Sequence, residues 1–240
     1  MRQTTPSLPD GLRIYAIGDV HGRFDLLQEI ARRIRQDLSA SPAKQAVEIF
    51  LGDYIDRGPQ SREVVDWLIV TPPLGDERIC LMGNHEDMLL SALADASDLP
   101  IWLQNGGDAT LASYGVKSLP RSPQGIHEAC CAAIPGRHRD FCAGLPLTAE
   151  LGSYFFVHAG IDPSRSLHDQ DPHDLVWIRE PFHRSTADFG RVVVHGHTPV
   201  VEPDIRPNRI NIDTGAVFTG HLTCLVLEGA GRRLLQTPPE

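Results

Sequence analysis

Long apolar runs are missing from this sequence. No stretch of roughly eighteen apolar residues occurs, which excludes a membrane-spanning helix, and the opening MRQTTPSLPDGLR lacks the apolar centre of a secretory signal. Paired cysteines are missing too. Cys80, Cys130, Cys131, Cys142 and Cys224 are odd in number and show no CxxC spacing, so a disulfide framework is not expected. Adjacent Cys130 and Cys131 are poorly placed to bridge, which leaves no redox role for them. A reducing, cytoplasmic location is the expectation. Positive charge is scarce as well: 22 Lys and Arg stand against 31 Asp and Glu, and the net charge of −9 argues against a nucleic-acid-binding surface. An anionic substrate would have to be attracted locally, by metal ions and a few placed arginines.

What is present is enough apolar material, 41% of 240 residues, to build a substantial core in one large domain or two small ones. Residues 1–12, with two prolines and no periodicity, are expected to be a loose tail. Beyond them a unit recurs, in which an apolar run ends in a Gly, Asp or His cluster and a helical pattern follows: IYAIG then DVHG, EIFLG then DYIDRG, RICLM then GNHE. Phe24, Leu27, Ile30, Ile34 and Leu38 recur at helical spacing, and further helices are expected over Arg62–Val70 and Glu86–Ala96. Residues 98–150, rich in Gly, Pro and short helical fragments, read as a helical elaboration over the sheet. SYFFVHAG, VVVHGHT, INIDTG and HLTCLVLE then return to strands, so the chain reads as α/β layers whose early parallel strands give way to a mixed continuation.

The polar clusters at the strand ends carry the chemistry. In GDVHG, Asp19 and His21 are two residues apart and either bind a cation together or leave Asp19 to cap the helix near Phe24. In GDYIDRG, Asp53, Asp56 and Arg57 are either a surface salt-bridge cluster or part of a site, and the flanking Gly52 and Gly58 suit a backbone forced close to something bound. GNHE brings Asn84 and His85, which could be only a turn and a cap. VHAG brings His158, and VVVHGHT brings His195 and His197. Five strand ends with such residues point to one edge of a sheet, where open α/β sheets bind ligands. His127, His138, His168, His173, His183 and His221 fall outside any such spacing and read as solvated or structural. Trp67, Trp102 and Trp177 read as core or lid residues, and Asp213 as turn-forming.

GDVHG, GDYIDRG, GNHE, VHAG and HGHT, in this order, resemble the phosphoprotein phosphatase family of the calcineurin-like metallophosphoesterases, from about Ile14 to Glu228. The resemblance implies a single domain over residues 13–240, built as two mixed β-sheets flanked by helices in four layers. It also implies two divalent metal ions, Mn first with Fe or Zn as alternatives. Asp19, His21 and Asp53 would hold the first metal, and Asp53, Asn84, His158 and His197 the second, with Asp53 bridging. Where the wider group usually reads GHxH, this chain has Pro199, which points to the phosphatase branch. His195 would support the ligands from behind.

A water shared by two such cations would be acidified towards neutrality and could attack phosphorus directly. Arg57, Arg179 and Asn84 would hold the phosphate, and His85, oriented by Asp56, would both contact it and act as general acid. The expected substrate is a phosphorylated protein, on Ser or Thr and also Tyr, or a phosphorylated small molecule. The alternatives are a symmetrical diadenosine tetraphosphatase and a metal-binding protein without catalysis. No nucleic-acid or membrane partner is expected, and the chain is expected to be a monomer.

Overall fold

The computed structural model describes residues 5–118, 120 and 122–238. Ten strands among them form two five-stranded sheets. The first has the order β10 (Gly231–Gln236), β9 (Thr223–Glu228), β1 (Leu12–Ile17), β2 (Gln45–Phe50) and β3 (Glu77–Cys80). β1, β2 and β3 run parallel, whereas β9 is antiparallel to both of its neighbours. The second has the order β4 (Thr148–Leu151), β5 (Tyr154–Val157), β6 (Val192–His195), β8 (Arg209–Asn211) and β7 (Asp204–Ile205). Its three central strands are parallel and its two edges antiparallel.

Alternation along β1 sets the layers, because successive side chains of a strand point to opposite faces. Ile14 and Ala16 join Val47, Ile49, Leu225, Tyr154, Phe156, Val194 and Ile210 in a core between the two sheets. Tyr15 and Ile17 point the other way, into a second core with Phe50, Cys224 and the helices. Those helices include α1 (Phe24–Ala40), α2 (Ser61–Val70) and α3 (Asn84–Ala94). A smaller cluster of Phe155, Val157, Val193, Leu175 and Phe182 covers the far face of the second sheet, under α8 (Pro172–Trp177). The four-layer arrangement is therefore as expected: two mixed sheets flanked by helices. No helix among the described residues is long and apolar enough to cross a membrane.

Residues 98–150 hold α4 (Leu99–Trp102), α5 (Asp108–Ser113), α6 (Pro123–Ala133) and α7 (Gly136–Ala143), with a wide helical turn at Leu103–Gly107 between the first two. Their last residues form β4, a strand with no sequence signal of its own. The tail expectation needs correction where the chain is described. Leu8 is buried, its N–H donates to Gly229 O at 2.9 Å, and Ser7 O accepts from Ser153 N at 3.0 Å, so this stretch is pinned between the sheets' ends. Residues 1–4 lie outside the described residues.

Candidate metal centre

The loops that leave the C-terminal ends of the parallel strands turn polar side chains into one cluster. The loop after β1 brings Asp19 and His21, that after β2 Asp53, Asp56 and Arg57, and the start of α3 Asn84 and His85. The second sheet adds His158 after β5 and His197 after β6. Asp53 lies at the centre. His21 Nε2 is 3.4 Å and His85 Nε2 3.9 Å from its Oδ2, while His158 Nε2 is 3.3 Å from its Oδ1. Asn84 Oδ1 is 2.9 Å from His158 Nε2 and 2.8 Å from His197 Nδ1. Two trios close enough to share a cation each result: His21, Asp53 and His85, and Asp53, His158 and His197.

Asp19 stands beside these trios. Its Oδ2 accepts from His197 N at 3.1 Å, and its Oδ1 is buried without a partner. The capping alternative is excluded, since Arg23 precedes α1 and no side chain caps that helix. The trio around His21 is completed by His85, where Asp19 was expected. His195 lies on the outer face of β6, its ring stacked on His183 and edge-on to Phe182, so its ring contacts lie in the outer layer.

The backbone at the centre is unusual. His21, Asp53, Asp56, Arg57 and His197 all have positive φ, and no other described non-glycine residue does. Such conformations cost of order 1–3 kcal/mol each and gather at functional sites. Each is held through its own N–H: His21 by Asp53 O at 2.8 Å, Asp53 by Glu86 Oε2 at 3.0 Å, Asp56 by Thr110 Oγ1 at 2.8 Å, Arg57 by Gly106 O at 3.1 Å, and His197 by Asp19. The bracketing glycines serve the same packing. A Cβ on Gly58 would stand 2.0 Å from His21 O, so the missing side chain admits the neighbouring loop, not a ligand.

Charges in the cluster follow from burial and proximity. Burial pushes the Asp53 carboxyl up, but the histidines around it, His158 foremost, override that and hold it well below the carboxylate range. His21 and His197 are lowered to about 3, chiefly by burial, and His158 is lowered for the same reason. Uncharged imidazoles gathered around a carboxylate, with an orphaned Asp19 oxygen beside them, make a donor set that fits divalent metal ions. His85 goes the other way: burial lowers it, and Asp53 and Asp56 raise it to a net increase. Its Nδ1 is 2.7 Å from Asp56 Oδ2, and its Nε2 is buried without a partner.

Three supporting residues escaped the sequence reading. Trp102 Nε1 donates to Asp56 Oδ2 at 2.9 Å, and Thr110 Oγ1 lies 2.6 Å from Asp56 Oδ1. Glu86, read only as opening a helix, accepts from the backbone N–H of Gly83, Asp53, Tyr54 and Ile55. Asp213 does form a turn, accepting from Gly215 N at 2.9 Å, and also faces Asp19; burial pushes it up to about 6. The arginines reach the cluster from either side. Arg57 Nη1 is 2.7 Å from His21 Nε2, and Arg179 Nε is 3.2 Å from His197 Nε2.

The profile of the calcineurin-like phosphoesterases matches residues 12–223 of this chain. The chain belongs to that family. It is therefore a metallophosphoesterase, a hydrolase of phosphoric esters. It is 28% identical to a Bis(5'-nucleosyl)-tetraphosphatase PrpE [asymmetrical] from Anoxybacillus flavithermus, covering 87% of this chain and 88% of that one. It is 29% identical to Serine/threonine-protein phosphatase 1 from Salmonella typhimurium, covering 88% and 89%. Among solved structures, it shares its fold with one provisionally named a diadenosine tetraphosphatase, at TM-score 0.64 and 18% identity over 99% and 96% of the two chains. A serine/threonine phosphatase from Saccharomyces cerevisiae matches at TM-score 0.54 and 18% identity over 98% and 84%.

Proposed function

We propose that this metallophosphoesterase hydrolyses phosphate monoesters as a protein phosphatase, acting on phosphoserine and phosphothreonine and also on phosphotyrosine. Asp19, His21 and Asp53 would hold one divalent ion, and Asp53, Asn84, His158 and His197 the other, with manganese the expected metal. When bound, the pair supplies Lewis acidity and an activated water. The chain's own residues do the rest. Arg57 and Arg179 grip phosphoryl oxygens, which their closeness to His21 and His197 supports. Asn84 and His85 complete that pocket. His85 then gives its Nε2 proton to the departing alkoxide, while Asp56 at Nδ1 fixes the tautomer and stabilises the charged ring.

The observation that carries this reading is the polarity of His85: one ring nitrogen locked to Asp56, the other buried and unpaired beside Asp53. Trp102 and Thr110 in turn hold Asp56, so the pair is preorganised. Replacing His85 by Ala is expected to keep metal binding and slow turnover of an alkyl phosphate by roughly 10²-fold or more. Unchanged rates would sink the assignment. Free cysteines throughout support action in a reducing, cytoplasmic setting, and we propose a monomer.

A dinucleoside tetraphosphatase is the second reading, favoured by the name of the relative from Anoxybacillus flavithermus. That relative is named asymmetrical, so the symmetrical alternative raised by the sequence moves to an asymmetrical one. Turnover of a phosphoserine peptide against diadenosine tetraphosphate, both with manganese, separates the two readings. Rapid cleavage of the dinucleotide alone, into AMP and ATP, would displace the protein phosphatase.

A further inference from the structure

We infer that Phe218 is a specificity-determining residue, an aromatic platform on the rim of the site that selects substrates carrying a planar aromatic group on the phosphate. The inference rests on the phosphoesterase reading and deepens it.

Phe218 is 72% exposed, although burying such a ring is worth about 1.5–3 kcal/mol. It is not exposed because its segment is loose. Its short helix α9 (Ala216–Thr219) is framed by Gly215 and Gly220, both in the left-handed conformation at φ 65° and 74°. Asp213 Oδ1 accepts from Gly215 N at 2.9 Å, Phe218 N donates to Gly215 O at 2.8 Å, and Thr219 Oγ1 donates to Thr214 O at 2.9 Å. A rigid mount thus holds an apolar ring in water. A Cβ on Gly196 would stand 2.1 Å from Asp19 Oδ1 and 3.5 Å from Asp213 Cβ, so the mount lies against the metal-binding cluster.

The ring also has a neighbour of the right kind. The guanidinium carbon of Arg57 lies 6.0 Å from its centroid, at the outer reach of a cation–π contact. Arg57 is the side chain that reaches His21. A phosphate held by that guanidinium would lie near enough for its substituent to reach the ring of Phe218. Apolar groups stand nearby as well. A Cβ on Gly215 would stand 3.6 Å from Pro199 Cβ and 3.8 Å from Phe218 Cδ2, and Val201, 93% exposed, follows in the same loop as Pro199.

Stacking adds binding energy only for substituents with a flat π face, such as a phosphotyrosine ring or a nucleobase; a phosphoserine methylene offers none. The test compares three substrates with manganese in the intact enzyme: a phosphotyrosine peptide, the phosphoserine peptide of the same sequence, and diadenosine tetraphosphate. In Phe218→Ala and Phe218→Leu, the ratio of kcat/KM for an aromatic substrate to that for phosphoserine is expected to fall about tenfold, mainly through KM. Phe218→Tyr should restore it. A fall in the phosphotyrosine arm identifies the ring as its target, and a fall in the dinucleotide arm identifies the nucleobase. Ratios that stay within about twofold in both arms would overturn the platform while leaving the phosphoesterase reading intact. A parent enzyme that cleaves none of the three would overturn both.

Discussion

Replacing Glu86 by Gln would measure what its charge contributes to the centre. Oε1 accepts from Tyr54 N at 2.8 Å and Ile55 N at 3.3 Å, and Oε2 from Asp53 N at 3.0 Å and Gly83 N at 3.1 Å. Burial, with the charge of Asp53 added, pushes this carboxyl up to about 8, and a neutral acid would be matched by an amide of the same shape. The contacts decide for the anion. With N–H donors on both oxygens, an acidic proton would face other protons and find no acceptor. The amide NH2 of Gln must then oppose two of the four N–H groups. Hydrogen bonds to a charged group contribute roughly 1.5–3 kcal/mol each, so the loss is about 3 kcal/mol at the low end and about 6 at the high end. Asp53 and its neighbours would also lose their clamp, and manganese affinity should drop with stability. Urea unfolding followed by tryptophan fluorescence, with calorimetric titration of manganese on the folded variant, reads both. A midpoint and an affinity equal to the parent's would refute the buried anion and the clamp together.

Other changes follow from the same contacts. Asp53→Asn removes the charge shared by both trios and should abolish activity; metal analysis that still finds two ions per chain would contradict its bridging role. Trp102→Phe deletes a donor to Asp56 and should lower kcat about tenfold with KM little changed, the pattern of a group that acts through the general acid; a pure KM effect would place Trp102 elsewhere. Chelated protein should lose stability as pH falls below about 6.5. His21 and His197 stay neutral in the fold down to about 3, so the unfolded chain binds more protons in that window. Each of the two should contribute a slope approaching about 1.4 kcal/mol per pH unit, read as the slope lost when that histidine is replaced by Asn; urea midpoints whose pH dependence between 7 and 5.5 is the same in parent and variant would rule this out.

The central strands were legible because each combines an apolar run with a polar cluster at its end, and two-sided burial leaves a continuous signal. β4, β7 and β10 were not. All three are edge strands, where one flank is solvent and the sequence reads TAEL, DI or GRRLLQ. The candidate ligands could be read residue by residue for the same reason as the strands, since each follows a run that announces it. Trp102 and Thr110 could not, because nothing local connects α4 and α5 to Asp56 some fifty residues earlier.

The five positive-φ residues show why local sequence stops short of the centre. Asp and His tolerate this conformation better than most residues, but they adopt it in only a minority of cases, and Arg57 gives no hint of a left-handed backbone at all. What holds each one comes from another segment: Asp53 O for His21, Glu86 for Asp53, Thr110 for Asp56, Gly106 for Arg57 and Asp19 for His197. These bonds link the loops after β1, β2 and β6 with α3, the turn at Leu103–Gly107 and α5. At about 1–3 kcal/mol of strain per residue, no single loop would keep its shape alone. Each loop is set by the others, so the arrangement of the metal-binding side chains is a property of the assembled sandwich, and a glycine pattern read along the chain points to the place without giving its cause.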